Sequence, residues 1–155
     1  MQLRFGAHVL EHGYHIGRLS GIDVDPTTRT VLGITFRSDS GSQEETRPLD
    51  AVNFDHFRDE IDLHLVAASR TRPATTSVRL TDVTSVVRAD RPIGQLSEVE
   101  VAADTGTLSA VFERQHWWTR QLRFDAAGID LSVPGEIRIR AAPSGAAQNP
   151  PGGRP

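Results

Sequence analysis

His8-Val9-Leu10-Glu11-His12 has the order of a zinc-peptidase signature, in which two histidines four positions apart share one helical face and converge on the metal. The flanking pattern here is that of a strand, on which residues four apart stand about 13 Å from each other. That is too far for both to reach an ion at about 2 Å from each nitrogen. Gly13 also halts any helix at once, so the motif reads as surface histidines in a hairpin. Asp23 and Asp25 lack the spaced carboxylates and glycine of a calcium loop and read as turn caps. Asp55, Asp59, Glu60 and Asp62 read as a solvated acidic face. The chain has no cysteine, so neither a disulfide nor a thiolate zinc site is possible. No nucleophile, base and orienting group form a constellation. We therefore assign no catalytic, cofactor-binding or metal-binding residue and expect a protein that is not an enzyme.

The residues left with binding chemistry are concentrated in one segment. His116, Trp117, Trp118, Arg120 and Arg123 follow one another closely, and the segment holds both tryptophans of the chain. Tryptophan and arginine dominate binding hot spots, which makes these five residues the candidate interaction surface. The competing use of such rings is to seal a barrel end or the junction between two small domains. Adjacent residues of a strand face opposite ways. One ring is therefore expected inside the second unit, and the other over the junction or against a partner.

The elements that must position this segment come from a repeat. Residues 16–37 pair with 93–114 at an offset of 77, and eight of the 22 positions are identical (Ile, Gly, Leu, Ser, Val, Thr, Thr and Arg). The chain reads as two copies of one unit, 1–66 and 78–141, with a connection at 67–77 and a tail at 142–155. In the first copy Ala7–Glu11 and Ile16–Val24 form a hairpin around a glycine turn. A bulge at Gly21 moves the buried phase from Leu19 to Ile22 and Val24. Asp25-Pro26-Thr27-Thr28 is a turn, Thr30–Arg37 a strand, and Thr46–Leu49 a short strand before a helical turn near Asp50. Phe54–Val66 closes the unit with Ile61, Leu63 and Leu65 at strand spacing. The second copy repeats the plan and ends on Ile137–Arg140. The tail carries only Pro, Gly, Ala and polar residues and is expected to be disordered.

All 17 basic residues are arginine, a usage that fits a GC-rich bacterial genome. Residues 1–66 hold 6 Arg against 11 Asp and Glu, and 78–141 hold 8 against 9. Neither copy carries the basic footprint of a nucleic-acid binder. No apolar run reaches the length of a transmembrane segment, and the opening residues lack the apolar stretch of a signal peptide. The expected location is the cytoplasm.

Gly6-Ala7-His8-Val9, the paired Ile-Gly-x-Leu strands (Ile16–Leu19 and Ile93–Leu96), the Asp-Pro and Asp-Thr-Gly turns and Pro48-Leu49-Asp50-Ala51-Val52 together resemble the PRC-barrel domain. That small β-barrel is shared by the photosynthetic reaction-centre H subunit and the RimM-type ribosome maturation factor. Glu113-Arg114-Gln115-His116-Trp117-Trp118 is similar to the Arg-Glu-Gly-His-Leu-Trp segment of bacterial members. Ala102-Ala103 replaces the family's Asp-Pro, so the second copy is the more diverged. The resemblance implies an all-β protein of two tandem PRC-type barrels related by pseudo-twofold symmetry. It implies a barrel and no chemistry, so the function expected is a non-catalytic scaffold that docks a protein partner or a second copy of itself. The alternative that the resemblance permits is an accessory factor in ribosome assembly or RNA processing.

Overall fold

The computed structural model describes residues 1–55, 58–64, 76–116 and 118–140. Trp117, Leu65, most of the expected connection and the tail lie outside the described residues. The fold is all-β, with two seven-stranded sheets. In chain order the strands are β1 (Gln2–Arg4), β2 (His8–Glu11), β3 (Tyr14–Val24), β4 (Val31–Ser38), β5 (Glu44–Pro48), β6 (Val52–Asp55), β7 (Glu60–Leu63), β8 (Val78–Leu80), β9 (Ser85–Arg88), β10 (Arg91–Val101), β11 (Leu108–Arg114), β12 (Leu122–Asp125), β13 (Ile129–Asp130) and β14 (Glu136–Ile139). Single 3-10 turns, Leu49–Ala51 and Ala126–Gly128, join β5 to β6 and β12 to β13.

The first sheet runs β5-β4-β3-β2-β7-β6 and the second β12-β11-β10-β9-β14-β13. In each path the two terminal strands are consecutive in the chain and linked by a three-residue turn. Three residues span at most about 11 Å, so the ends of each path must lie close together and each sheet curls toward a barrel. Within β3 the pairing with β4 slips between Leu19 and Gly21. This is the expected bulge, and Leu19, Ile22 and Val24 are all buried on either side of it. The β2–β3 turn has φ of 53° at His12 and 79° at Gly13, and the β9–β10 turn repeats it with 50° at Ala89 and 59° at Asp90. Two consecutive positive φ values give the hairpin turn whose twist matches that of its strands.

The seventh strand of each sheet comes from the other half of the chain. β1 pairs antiparallel with β10, setting Gln2 opposite Glu100 and Leu3 opposite Val99. β8 pairs with β3, setting Arg79 opposite Asp23 and Leu80 opposite Ile22. Adding 77 to Gln2 and Leu3 gives Arg79 and Leu80; subtracting 77 from Glu100 and Val99 gives Asp23 and Ile22. The exchange is thus reciprocal about a pseudo-twofold axis. That axis passes between Thr30 and Thr107, which are also 77 apart and face each other in an isolated bridge. Val31 N donates to Gly106 O at 2.9 Å and Leu108 N to Arg29 O at 2.8 Å. Leu3 and Leu80, each fully buried, carry the core through the exchanged strands, and residues of both halves form one hydrophobic cluster.

Two sequence expectations need correction. The strand spacing expected over Phe54–Val66 covers a hairpin, β6–β7, turning at Asp59 with φ 56°, and Leu65 and Val66 lie outside the described residues. Phe54 faces Ile61 across that hairpin, so both apolar residues pack inward from antiparallel strands and not along one. Asp25 does cap its turn, accepting from Thr27 N at 2.8 Å and Thr28 N at 3.0 Å, and these two donors hold its carboxyl below the ordinary range. Asp23 is not a cap: its Oδ1 accepts from Arg79 Nε of the exchanged strand at 2.9 Å.

Candidate interaction site

β11 and β12 present the His116 segment as the loop between neighbouring strands. Thr119 folds that loop on itself. Its Oγ1 accepts from His116 N at 2.9 Å and donates to His116 O at 2.8 Å, while Thr119 N donates to the same carbonyl at 3.0 Å. The turn brings the His116 imidazole onto the Trp118 indole, with ring centroids 4.7 Å apart and planes 10° from parallel. Trp118 is 66% exposed. Its ring therefore does not seal the junction between the halves, a task performed by β1 and β8. Arg120 is exposed. Arg123 stands apart from it on β12, where it is bound to Asp125 and, at 3.5 Å, to Glu100. The structure thus joins His116 and Trp118 and assigns Arg123 to a strand-surface ion pair.

His116 also lines a groove of about 330 Å³ with Arg4, Phe5, Leu96, Arg114 and Gln121. Its pseudo-twofold mate, about 440 Å³, lies on the first barrel and is lined by Arg18, Leu19, Arg37, Asp39, Glu44 and Asp82. Subtracting 77 turns His116 into Asp39, Gln121 into Glu44 and Gln95 into Arg18. Both grooves carry charge: Asp82 lines each, with Arg18, Arg37, Asp39 and Glu44 in the first and Arg4 and Arg114 in the second, where His116 and Gln121 stand in place of Asp39 and Glu44. In the first, Asp39 binds the His15 ring, whose other nitrogen is 2.6 Å from Nδ1 of His8. His8 thus meets His15 and not His12, which occupies the exposed hairpin turn. Among the described residues no group of three or more His, Cys, Asp or Glu is placed to hold a metal ion.

The sequence reading passed over Glu113. It is 2% exposed on β11, and among the described residues its Oε1 has no hydrogen-bond partner. Burial pushes its carboxyl pKa up. The carboxyl lies on the Gly94 backbone so closely that a Cβ there would stand 1.8 Å from Oε1. The offset of 77 places Glu113 where the first half has the fully buried Phe36. That correspondence was the signal available in the sequence. Neither family models nor curated proteins match this chain.

Proposed function

We propose that the protein is a non-catalytic interaction module. Two PRC-like barrels, locked by strand exchange, form a rigid body that presents the His116–Trp118 pair to a protein partner or a second copy. The observation that carries this reading is the exposed indole of Trp118, stacked on His116, which itself lines a groove with Leu96 and Phe5 and the charged Arg4, Asp82 and Arg114. An aromatic plate held by a neighbouring ring loses little conformational entropy on binding, the property that makes tryptophan a frequent anchor.

The test compares wild type with Trp118→Ala in sedimentation velocity and in affinity capture from the native host. An exposed ring contributes little to the fold, so the variant should melt with the wild type. It should lose self-association or a specific captured partner by about 2 kcal/mol or more. Identical association and identical captured proteins for the two chains would refute the site. Salt-dependent retention of ribosomal components would instead favour an accessory role in ribosome assembly.

A further inference from the structure

The two halves hold equivalent backbone at residues 29 and 106, both left-handed, with φ of 61° and 65°, and place opposite side chains there. Arg29 is half-buried and reaches across the axis, its Nη2 donating to the Ile129 carbonyl at 3.2 Å. Gly106 sends no side chain back. Where the returning arginine would lie, a cavity of about 650 Å³ opens between the halves, with Val31, Leu49, Val52, Phe54, Asp50 and Thr105 in its lining. Val52 is the counterpart of Ile129 (52 + 77), so the backbone position that receives the guanidinium in one half lines the cavity in the other.

We propose that this cavity receives an arginine side chain of a partner polypeptide, in the role that Arg29 fills from within the chain on the opposite side. The volume is that of a ligand site. A guanidinium suits it better than an ammonium: its apolar stem can lie along aliphatic walls, and its weakly hydrated planar head tolerates partial burial against a carbonyl. The lining holds one acidic side chain, Asp50, which has an interaction of its own, and the Met1 ammonium, which donates to Val101 O at 2.8 Å. Leu49, which stands where the second half has Ala126 (49 + 77), takes part of the space without closing it. A Cβ on Gly106 would meet Leu49 Cδ2 at 3.4 Å, an ordinary contact. The cavity shares no lining residue with the His116 groove, so this inference goes beyond the interaction surface proposed above and does not depend on it.

The experiment titrates the full chain with a capped Gly-Arg-Gly tripeptide, with lysine and citrulline versions as controls, by calorimetry and by amide NMR. The arginine peptide should bind once per chain and shift the amides of Thr30, Val52, Thr105 and Gly106. Gly106→Arg supplies the missing side chain at a backbone angle that Arg29 already tolerates, and should weaken binding by at least about tenfold. Trp118→Ala should bind the peptide as wild type does, which separates this site from the other. Equal binding of the three peptides, or wild-type affinity in Gly106→Arg, would overturn the proposal. If Gly106→Arg fails to fold, arginine-peptide shifts in the wild type that fall elsewhere than on Thr30, Val52, Thr105 and Gly106 overturn it just as well.

Discussion

Replacing Glu113 should stabilise the protein, and by an amount that depends on pH. The residue occupies the core position that Phe36 fills in the first barrel, and among the described residues its Oε1 is buried with no partner. Leaving a buried polar group unsatisfied costs about 1 to 3 kcal/mol. Glu113→Leu removes that cost while keeping most of the volume, so a gain of about 2 kcal/mol is expected at pH 8, or a melting temperature higher by about 4 to 8 °C for a chain of this size. The pH sign follows from the direction of the shift. Burial raises the folded-state pKa above the ordinary 4.5, so the folded chain holds a proton that the unfolded chain has released. The stability linked to that proton is present in full below pH about 4.5 and is lost as pH rises through the folded pKa. The wild type thus closes on the variant in acid and falls behind it in base. Glu113→Gln, which removes the charge but keeps the polar group, should lie between the two. Urea unfolding of all three chains from pH 4 to 8 measures the gap. A gap that stays constant with pH, or a Glu113→Leu chain less stable than wild type at pH 8, would show that the carboxyl is satisfied.

Leu3→Ala and Leu80→Ala should each cost about 2 to 5 kcal/mol, since both side chains are fully buried on the exchanged strands. Hydrogen exchange should show Leu3→Ala loosening the amides of β10 first and Leu80→Ala those of β3; the reverse assignment would refute the exchange. Ala89→Gly should stabilise by about 0.5 to 1 kcal/mol in thermal unfolding, because Ala89 holds a φ of 50° that disfavours a Cβ. Asp130, its carboxyl held at about 2 by Ser132 N–H, the Ser132 side chain and Arg140, stabilises the fold above its ordinary 3.8, and that contribution disappears as pH falls through about 2. Asp130→Asn should therefore unfold more easily than wild type at pH 6, and the two should converge in acid titrations near pH 2.

The local plan of each half was legible because it rests on short-range chemistry. Gly21 marks the bulge, Asp25 caps its turn through its own carboxylate, and Leu19, Ile22 and Val24 declare the buried face. The hairpin within Phe54–Leu63 was missed because a strand and its antiparallel return carry the same alternation, and Asp59 advertises its positive φ less clearly than glycine would. The exchange was illegible for a different reason. β1 is Gln-Leu-Arg with one buried side chain, and a three-residue strand with a single apolar residue fits the free edge of either sheet equally well. The choice of sheet is decided by the tertiary placement of β3 and β10. In the candidate site, the residue types of the 116–123 segment pointed to binding, but sequence spacing could not tell that the Thr119 turn would stack His116 on Trp118 while β12 led Arg123 away.

Equivalent backbones make equal demands, so a side chain that differs between the two halves at matched positions is one that the fold itself does not require. Three such pairs bear on the experiments above. Phe36 fills its barrel where Glu113 leaves a carboxyl unsatisfied; Asp39 binds His15 where His116 supports an exposed indole; Arg29 closes its side of the axis where Gly106 leaves it open. In every pair the first-half residue satisfies its surroundings from within the chain. The second half has instead a buried carboxyl oxygen without a partner among the described residues at Glu113, an exposed indole at Trp118 and a cavity at Gly106. The asymmetry makes the first barrel the control for the experiments above. The effect on stability differs between the matched positions: Glu113→Phe removes a buried oxygen that has no partner among the described residues, whereas Gly106→Arg puts a Cβ at a φ of 65°, so its loss of binding is judged against Gly106→Ala, which carries the same backbone cost without the long side chain.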